Sequence, residues 1–131
     1  MTKASISTMN TPQTIAVLGA SNNPERYSNM AVRRLREAGH RVIPVNPALF
    51  EIEGLPASKS LAEIKEPVDT LTLYVGPQRV AAMTQDIVRF APKRVIFNPG
   101  TESPELAAAL DRAGIPHIHA CTLVMLQTGQ F

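Results

Sequence analysis

The chain has 131 residues, 44% of them hydrophobic, 18% charged and 5% aromatic with no Trp, and its 13 basic and 11 acidic residues leave a net charge of +2. That is one ordinary domain able to bury a core without metal or disulfide, and with no basic run beyond Arg33-Arg34 it argues against a nucleic-acid surface. A single cysteine excludes an internal disulfide and fits a reducing compartment, and no apolar run approaches a membrane span.

Residues 1–13, MTKASISTMNTPQ, form a polar N-terminal segment without the apolar core of a signal peptide, so the expected location is cytoplasmic and the expected domain covers 14–131. Five short β-type runs follow: Thr14 to Leu18, Arg41 to Val45, Thr70 to Val75, Arg94 to Phe97 and Pro116 to His119. Between the first two, Met30, Ala31, Leu35 and Ala38 predict one apolar stripe of a helix over 28–38, with Ser28 as its cap and Gly39 as its stop. Ser60 to Lys65 is a shorter helix candidate. Val80, Met83, Ile87 and Ala91 predict a single helix over 77–91, started by Pro77. Leu106, Ala109, Leu110 and Ala113 predict another over 103–113, with Ser103 as cap and Gly114 as stop. The stretch 121–131 is apolar enough to close the fold with a last helix. Strict alternation of strand and helix calls for an α/β, doubly wound, five-stranded parallel sheet with helices on both faces, in a single domain.

In such a sheet ligands bind beyond the carboxyl ends of the strands. The residues there are Gly19-Ala20-Ser21, Asn46-Pro47-Ala48, Gly76-Pro77, Asn98-Pro99-Gly100-Thr101 and Ala120-Cys121-Thr122. The first turn, in GASNNPERYS, offers backbone amides, the Ser21 hydroxyl and the following helix N-terminus to a phosphate, with Arg26 to add a charged contact. The alternative is that Gly19 only relaxes a tight turn and Arg26 is solvated. Val45-Asn46-Pro47 has no acid where an NAD site places one to hold the ribose, and no arginine follows to suit NADP. No nucleophile elbow or paired acid and base is present, so no catalytic residue is assigned. His117, His119 and Cys121 alternate and, in an extended strand, share a face suited to a metal; two polar strand residues and a thiol at the cleft edge is the simpler reading, and no metal ligand is assigned.

Taken together, V-L-G-A-S-N-N-P-E-R-Y-S, then G-H-R-V-I-P-V-N-P, then Ile52 to Gly54 in an I-x-G segment, then V-D-T-L-T-L-Y-V-G-P and an N-P-G turn before a late cysteine, resemble the CoA-binding protein family. These are Rossmann-like domains similar to the N-terminal CoA-binding domain of the succinyl-CoA synthetase alpha subunit. The resemblance spans about Thr14 to Thr122. It implies that Gly19, Ala20, Ser21 and Arg26, beside Ser28, approach the phosphates of coenzyme A, and that Val45, Asn46 and Pro47 flank the nucleotide end. It also implies that Val75, Gly76 and Pro77 line the adenine side and that Asn98, Pro99 and Gly100 close the cleft near the pantetheine. Two departures stand out: Ala48 replaces the lysine that often follows the N-P turn in relatives, and Ala120-Cys121-Thr122 lacks the charged or amide neighbours often found there.

The expected function is therefore non-catalytic binding of CoA or a short acyl-CoA, by a monomer or homodimer with no nucleic-acid or membrane partner. An NAD(P)-binding enzyme or redox regulator, and an interaction scaffold with a decayed nucleotide site, are the two alternatives. Cys121 is a candidate to face the CoA thiol.

Overall fold

The computed structural model describes residues 11–131. Expectations for residues 1–10 lie outside it. Five parallel strands form one sheet, the first four from largely aliphatic or β-branched runs and the last from His-Ile-His at the edge: β1 (Thr14–Leu18), β2 (Arg41–Val45), β5 (Thr70–Leu73), β6 (Arg94–Phe97) and β7 (His117–His119). They lie in the order β2-β1-β5-β6-β7. The first strand thus lies inside the sheet, one place from its edge; β2 is added on that edge, and the remaining strands are added on the other side. Strand order reverses between β1 and β5, and it is there that the connections after the two strands leave for opposite faces.

Adjacent residues of β1 supply both cores, as period-two alternation requires. Ile15 and Val17 pack on one face with Ala31, Val32 and Leu35 of α1 (Tyr27–Glu37), joined by Leu123 and Leu126 from α5 (Thr122–Gln127). Ala16 and Leu18 pack on the other with Val80 of α2 (Pro77–Ala82), Ile87 of α3 (Thr84–Phe90), and Leu106 and Leu110 of α4 (Pro104–Ala113). Helices on both faces make a doubly wound α/β domain, and among the described residues no helix is long and apolar enough to cross a membrane.

Four local expectations need correction. α1 begins at Tyr27, with Arg26 as the extended boundary residue, so Ser28 is a buried residue of the first turn and not the cap. Its buried stripe is Ser28, Asn29, Ala31, Val32 and Leu35, while Ala38 is exposed at the helix end. The helix expected over 77–91 is two, broken where Met83 ends α2 and precedes α3. Between β2 and β5, the Ser60–Lys65 candidate shrinks to one 3₁₀ turn, Leu61–Glu63. Ahead of it stands an unforeseen antiparallel hairpin, β3 (Glu51–Ile52) and β4 (Leu55–Pro56). The hairpin turn is Glu53-Gly54, both at positive φ (52° and 77°). Ser103 does cap α4, accepting from the Leu106 amide at 3.1 Å, and the last helix forms.

Candidate functional site

The end of β1 is fixed by its neighbours. The Gly19 and Ala20 amides both donate to the Val45 carbonyl at the end of β2, at 3.1 and 3.2 Å, and the Tyr74 amide donates to the Leu18 carbonyl at 2.9 Å. The Ser21 hydroxyl accepts from the Asn23 amide at 3.0 Å, and Asn23 Oδ1 from the Glu25 amide at 3.0 Å, two side-chain turns that curl the loop toward α1.

A cleft of about 250 Å³ opens at this point, over the reversal of strand order. Gly19, Ser21, Arg26, Tyr27 and Ser28 line one wall; Tyr74, Val75 and Gly76 line the floor beyond β5; Pro99, Gly100 and Thr101 form the far side beyond β6. Wider depressions of about 470–510 Å³ lie on the flanks of the molecule, for example between α1 and α5 beside Met30 and Leu126. Converging polar groups from three strand ends single out the smaller cleft.

Its electrostatics are one-sided. No carboxylate, histidine or lysine lines it, so the Arg26 guanidinium is its charged group. The first turn of α1 contains no acid, and no side chain caps it. An eleven-residue helix therefore presents its partial positive end beside Arg26 with no acidic side chain in its first turn. The other arginines of α1 nearest the loop are occupied: Arg33 donates to Asn29 Oδ1 (2.9 Å) and the Pro24 carbonyl (3.0 Å), and Arg36 to the Glu53 carbonyl (2.6 Å).

Of the residues expected at the site, Gly19, Ser21, Arg26, Ser28, Val75, Gly76, Pro99 and Gly100 come together in the cleft. Six do not line it. Ala20 is buried, and its carbonyl accepts from Asn46 Nδ2 at 2.9 Å. Asn46 Oδ1 accepts from the Ala48 and Leu49 amides at 2.7 and 3.2 Å, so both ends of this amide hold the turn after β2, with Val45 buried beneath and Pro47 exposed beside it. Pro77 is exposed in the first turn of α2. Asn98 is only 2% exposed and wholly engaged: Nδ2 donates to Thr72 Oγ1 (2.7 Å) and the Leu73 carbonyl (2.9 Å), and Oδ1 accepts from the Thr122 amide (2.8 Å).

Sequence reading missed Tyr27, Tyr74 and Thr101. Tyr27 stands at the mouth with 71% of its surface exposed, aromatic area that no other described residue covers. The Tyr74 hydroxyl is buried with no hydrogen-bond partner; the nearby Thr72 and Thr122 hydroxyls bond each other at 2.8 Å. Burial pushes its pKa up to about 12. At the far side, Glu102 folds back to accept from the Gly100 amide at 3.0 Å, and backbone amides of Glu102 and Gly100 hold its carboxyl below the ordinary range.

The alternating triplet after β6 disperses. His117 Nε2 pairs with Asp111 Oδ1 at 2.9 Å, His119 stacks on the Phe97 ring at 4.6 Å, and Cys121 starts α5, half-buried and outside the cleft lining. Among the described residues no three His, Cys, Asp or Glu side chains come close enough to hold a metal.

Residues 13–127 match the CoA binding domain family. The chain is 34% identical over 74 residues to the uncharacterised protein YneT of Bacillus subtilis, covering 56% of this chain and 55% of that one. It is 39% identical over 74 residues to the alpha subunit of the ADP-forming acetate–CoA ligase II of Pyrococcus furiosus, covering 56% of this chain but 16% of the subunit. The matched stretch thus spans about half or less of the curated relatives. Among solved structures, a Thermus thermophilus protein superposes with a TM-score of 0.85 at 35% identity over 98% of both chains. A dinucleotide-forming acetyl-coenzyme A synthetase of Candidatus Korarchaeum cryptofilum shares the fold, with a TM-score of 0.72 at 23% identity over 88% of this chain and 27% of that one.

Proposed function

The chain belongs to the CoA binding domain family, and from that premise we propose that its carboxyl-edge cleft binds coenzyme A or a short acyl-CoA by the phosphates and performs no chemistry on it. The observation that carries the reading is the coincidence of the uncapped, acid-free N-terminus of α1 with the Arg26 guanidinium on the cleft wall, for which no ion-pair partner stands among the described residues. Phosphate oxygens gain both from helix-end amides and from a charged donor. In this reading the diphosphate lies against Gly19, Ser21, Arg26 and Ser28. Val75 and Gly76 offer the adenine an apolar floor, and the pantetheine runs toward Pro99 and Gly100.

Asn46 supports CoA over NAD. Its amide is spent on the Ala20 carbonyl and on its own turn, so this side chain offers no acceptor at the end of β2 for ribose hydroxyls. Ala48 is exposed and brings no cation, leaving Arg26 as the phosphate's charged partner. The reading of binding without chemistry is supported by a lining whose two tyrosines, Tyr27 at the exposed mouth and Tyr74 with its hydroxyl buried, are joined by no acid–base pair.

Titration calorimetry with CoA, acetyl-CoA, NAD and NADP tests the reading. CoA or acetyl-CoA is expected to bind more tightly than either dinucleotide; tighter binding of NAD overturns it. Thiol release from acetyl-CoA incubated with the protein is expected to match buffer, and turnover assigns the chain an activity that this reading denies.

A further inference from the structure

Behind the loop that forms the cleft wall lies a polar cluster in which the family resemblance assigns no role to Asn29 or Glu53. Asn29 is 0% exposed on the inner side of α1. Its Nδ2 donates to the Ser21 carbonyl at 2.8 Å and to Glu53 Oε2 at 3.0 Å, while its Oδ1 accepts from Arg33 Nε at 2.9 Å. The amide orientation is dictated, since both partners of Nδ2 are acceptors and the partner of Oδ1 is a donor. Glu53 belongs to the β3–β4 hairpin, and two further bonds tie that hairpin to the same region: Asn22 Nδ2 to the Glu51 carbonyl at 3.2 Å, and Arg36 to the Glu53 carbonyl at 2.6 Å.

Glu53 occupies its position at a cost. The two-residue hairpin turn requires positive φ at Glu53 (52°), a region where a β-carbon is strained and where Asn or Gly is the ordinary choice ahead of Gly54. Asn is one methylene shorter than Glu, too short to span to Asn29. The strained residue is the one whose carboxylate reaches the buried amide, and that amide holds the Ser21 carbonyl.

We propose that Glu53 is a positioning residue for the anion-binding loop: through Asn29 it fixes the Ser21 carbonyl, and with it the direction of the Ser21 hydroxyl and of residues 22–26 leading to Arg26. The hairpin is then the brace that keeps the loop in its ligand-ready shape. The inference rests on the proposed binding of CoA at that loop. It gives the hairpin a role beyond the packing of Ile52 into the core.

The test uses the full chain with Glu53→Ala, Glu53→Asn and Glu53→Gln, followed by calorimetry with CoA and by amide hydrogen exchange of the ligand-free protein. Glu53→Ala and Glu53→Asn are expected to weaken CoA by about tenfold, the scale of one lost buried hydrogen bond, and to speed exchange over residues 22–26 but not in α4. Glu53→Gln, whose amide oxygen still accepts from Asn29, is expected to recover both. Because Asn relieves the backbone strain, Glu53→Asn is expected to hold or raise the melting temperature while losing affinity, whereas a merely structural role predicts that affinity follows the melting temperature. Wild-type affinity in Glu53→Ala, lost affinity with an undisturbed loop, or failure of Glu53→Gln to rescue overturns the proposal. Should the wild type bind no CoA, the reading of the cleft fails by itself, and the exchange arm still decides whether Glu53 orders the loop.

Discussion

A β-carbon added to Gly19 would stand 2.9 Å from the Tyr74 carbonyl oxygen and 2.8 Å from Val75 Cγ1. The two chain segments cross this closely because β1 and β5 are neighbours whose connections part at the reversal of strand order. Gly19 also has φ of 90°. Gly19→Ala therefore combines left-handed strain with overpacking against backbone that cannot rotate away, and should cost about 2–4 kcal/mol. Urea unfolding monitored by circular dichroism is expected to show the midpoint falling by that measure; an unchanged midpoint shows that the crossing relaxes freely.

The residue on the other side of that crossing gives a pH prediction. Burial holds the Tyr74 phenol neutral up to about pH 12, against about 10 in an unfolded chain. The stabilising difference is fully present below pH 10. Between 10 and 12 the unfolded chain loses its proton first, so folding stability falls as pH rises, by about 2–3 kcal/mol in all. Tyr74→Phe removes this fall. Because the wild-type hydroxyl is buried without a partner, the variant should also be at least as stable at neutral pH, by up to about 1 kcal/mol. Parallel alkaline stability curves for the two proteins would show that Tyr74 is not the titrating group.

The sheet was legible because β1, β2, β5 and β6 are aliphatic or β-branched runs of four or five residues, with Gly, Pro or Asn near their ends, while β7 (His117-Ile118-His119) is marked by Gly114 and Pro116 just ahead of it. The β3–β4 hairpin was not, since strands of two residues show no alternation, and Glu53 disguises a turn that Asn-Gly would have announced. The break at Met83 hid for the opposite reason: Val80 and Ile87 keep one apolar spacing through it, so both short helices bury the stripe expected of one long helix. At the site, the polar identities of Asn46 and Asn98 pointed to a ligand. Their amides instead hold Ala20 and the ends of β5 and α5, a use that only three-dimensional proximity reveals. Asn29 shows the same blindness inverted. A polar residue in the first turn of an amphipathic helix reads as solvent-facing, yet a carboxylate 24 residues away lets it be buried.

Asn98 separates a structural role from a ligand role. Truncation in Asn98→Ala strands the Leu73 carbonyl and the Thr122 amide in the interior and should destabilise the fold by about 2–4 kcal/mol. Well below the melting temperature, CoA affinity should change less than twofold or so, since the side chain contributes nothing to the cleft lining. Affinity loss as large as that of a cleft residue, measured by calorimetry at low temperature, would return Asn98 to the ligand.

Arg26 offers the sharpest test of the cleft itself. It is the charged group on the wall, while Arg33 and Arg36 are tied to the loop and hairpin by their bonds to Pro24 and Glu53. Loss of one charge-assisted contact to phosphate corresponds to about 10- to 100-fold in affinity at low salt. Arg26→Ala should therefore weaken CoA by that factor and flatten the dependence of affinity on ionic strength, because the screened charge pair is gone. Arg34→Ala removes the same net charge from the exposed side of α1, away from the cleft, and serves as the control. It is expected to leave both affinity and salt slope near the wild-type values. Equal losses in the two variants would mean that the phosphates respond to the general positive field of α1, and that Arg26 has no contact of its own. A loss confined to Arg26→Ala, with the salt slope reduced, places the diphosphate against the first turn of α1. In that case the missing lysine at position 48 is compensated from the opposite side of the Asn46 turn, by a cation delivered from the loop after β1 and not from the one after β2.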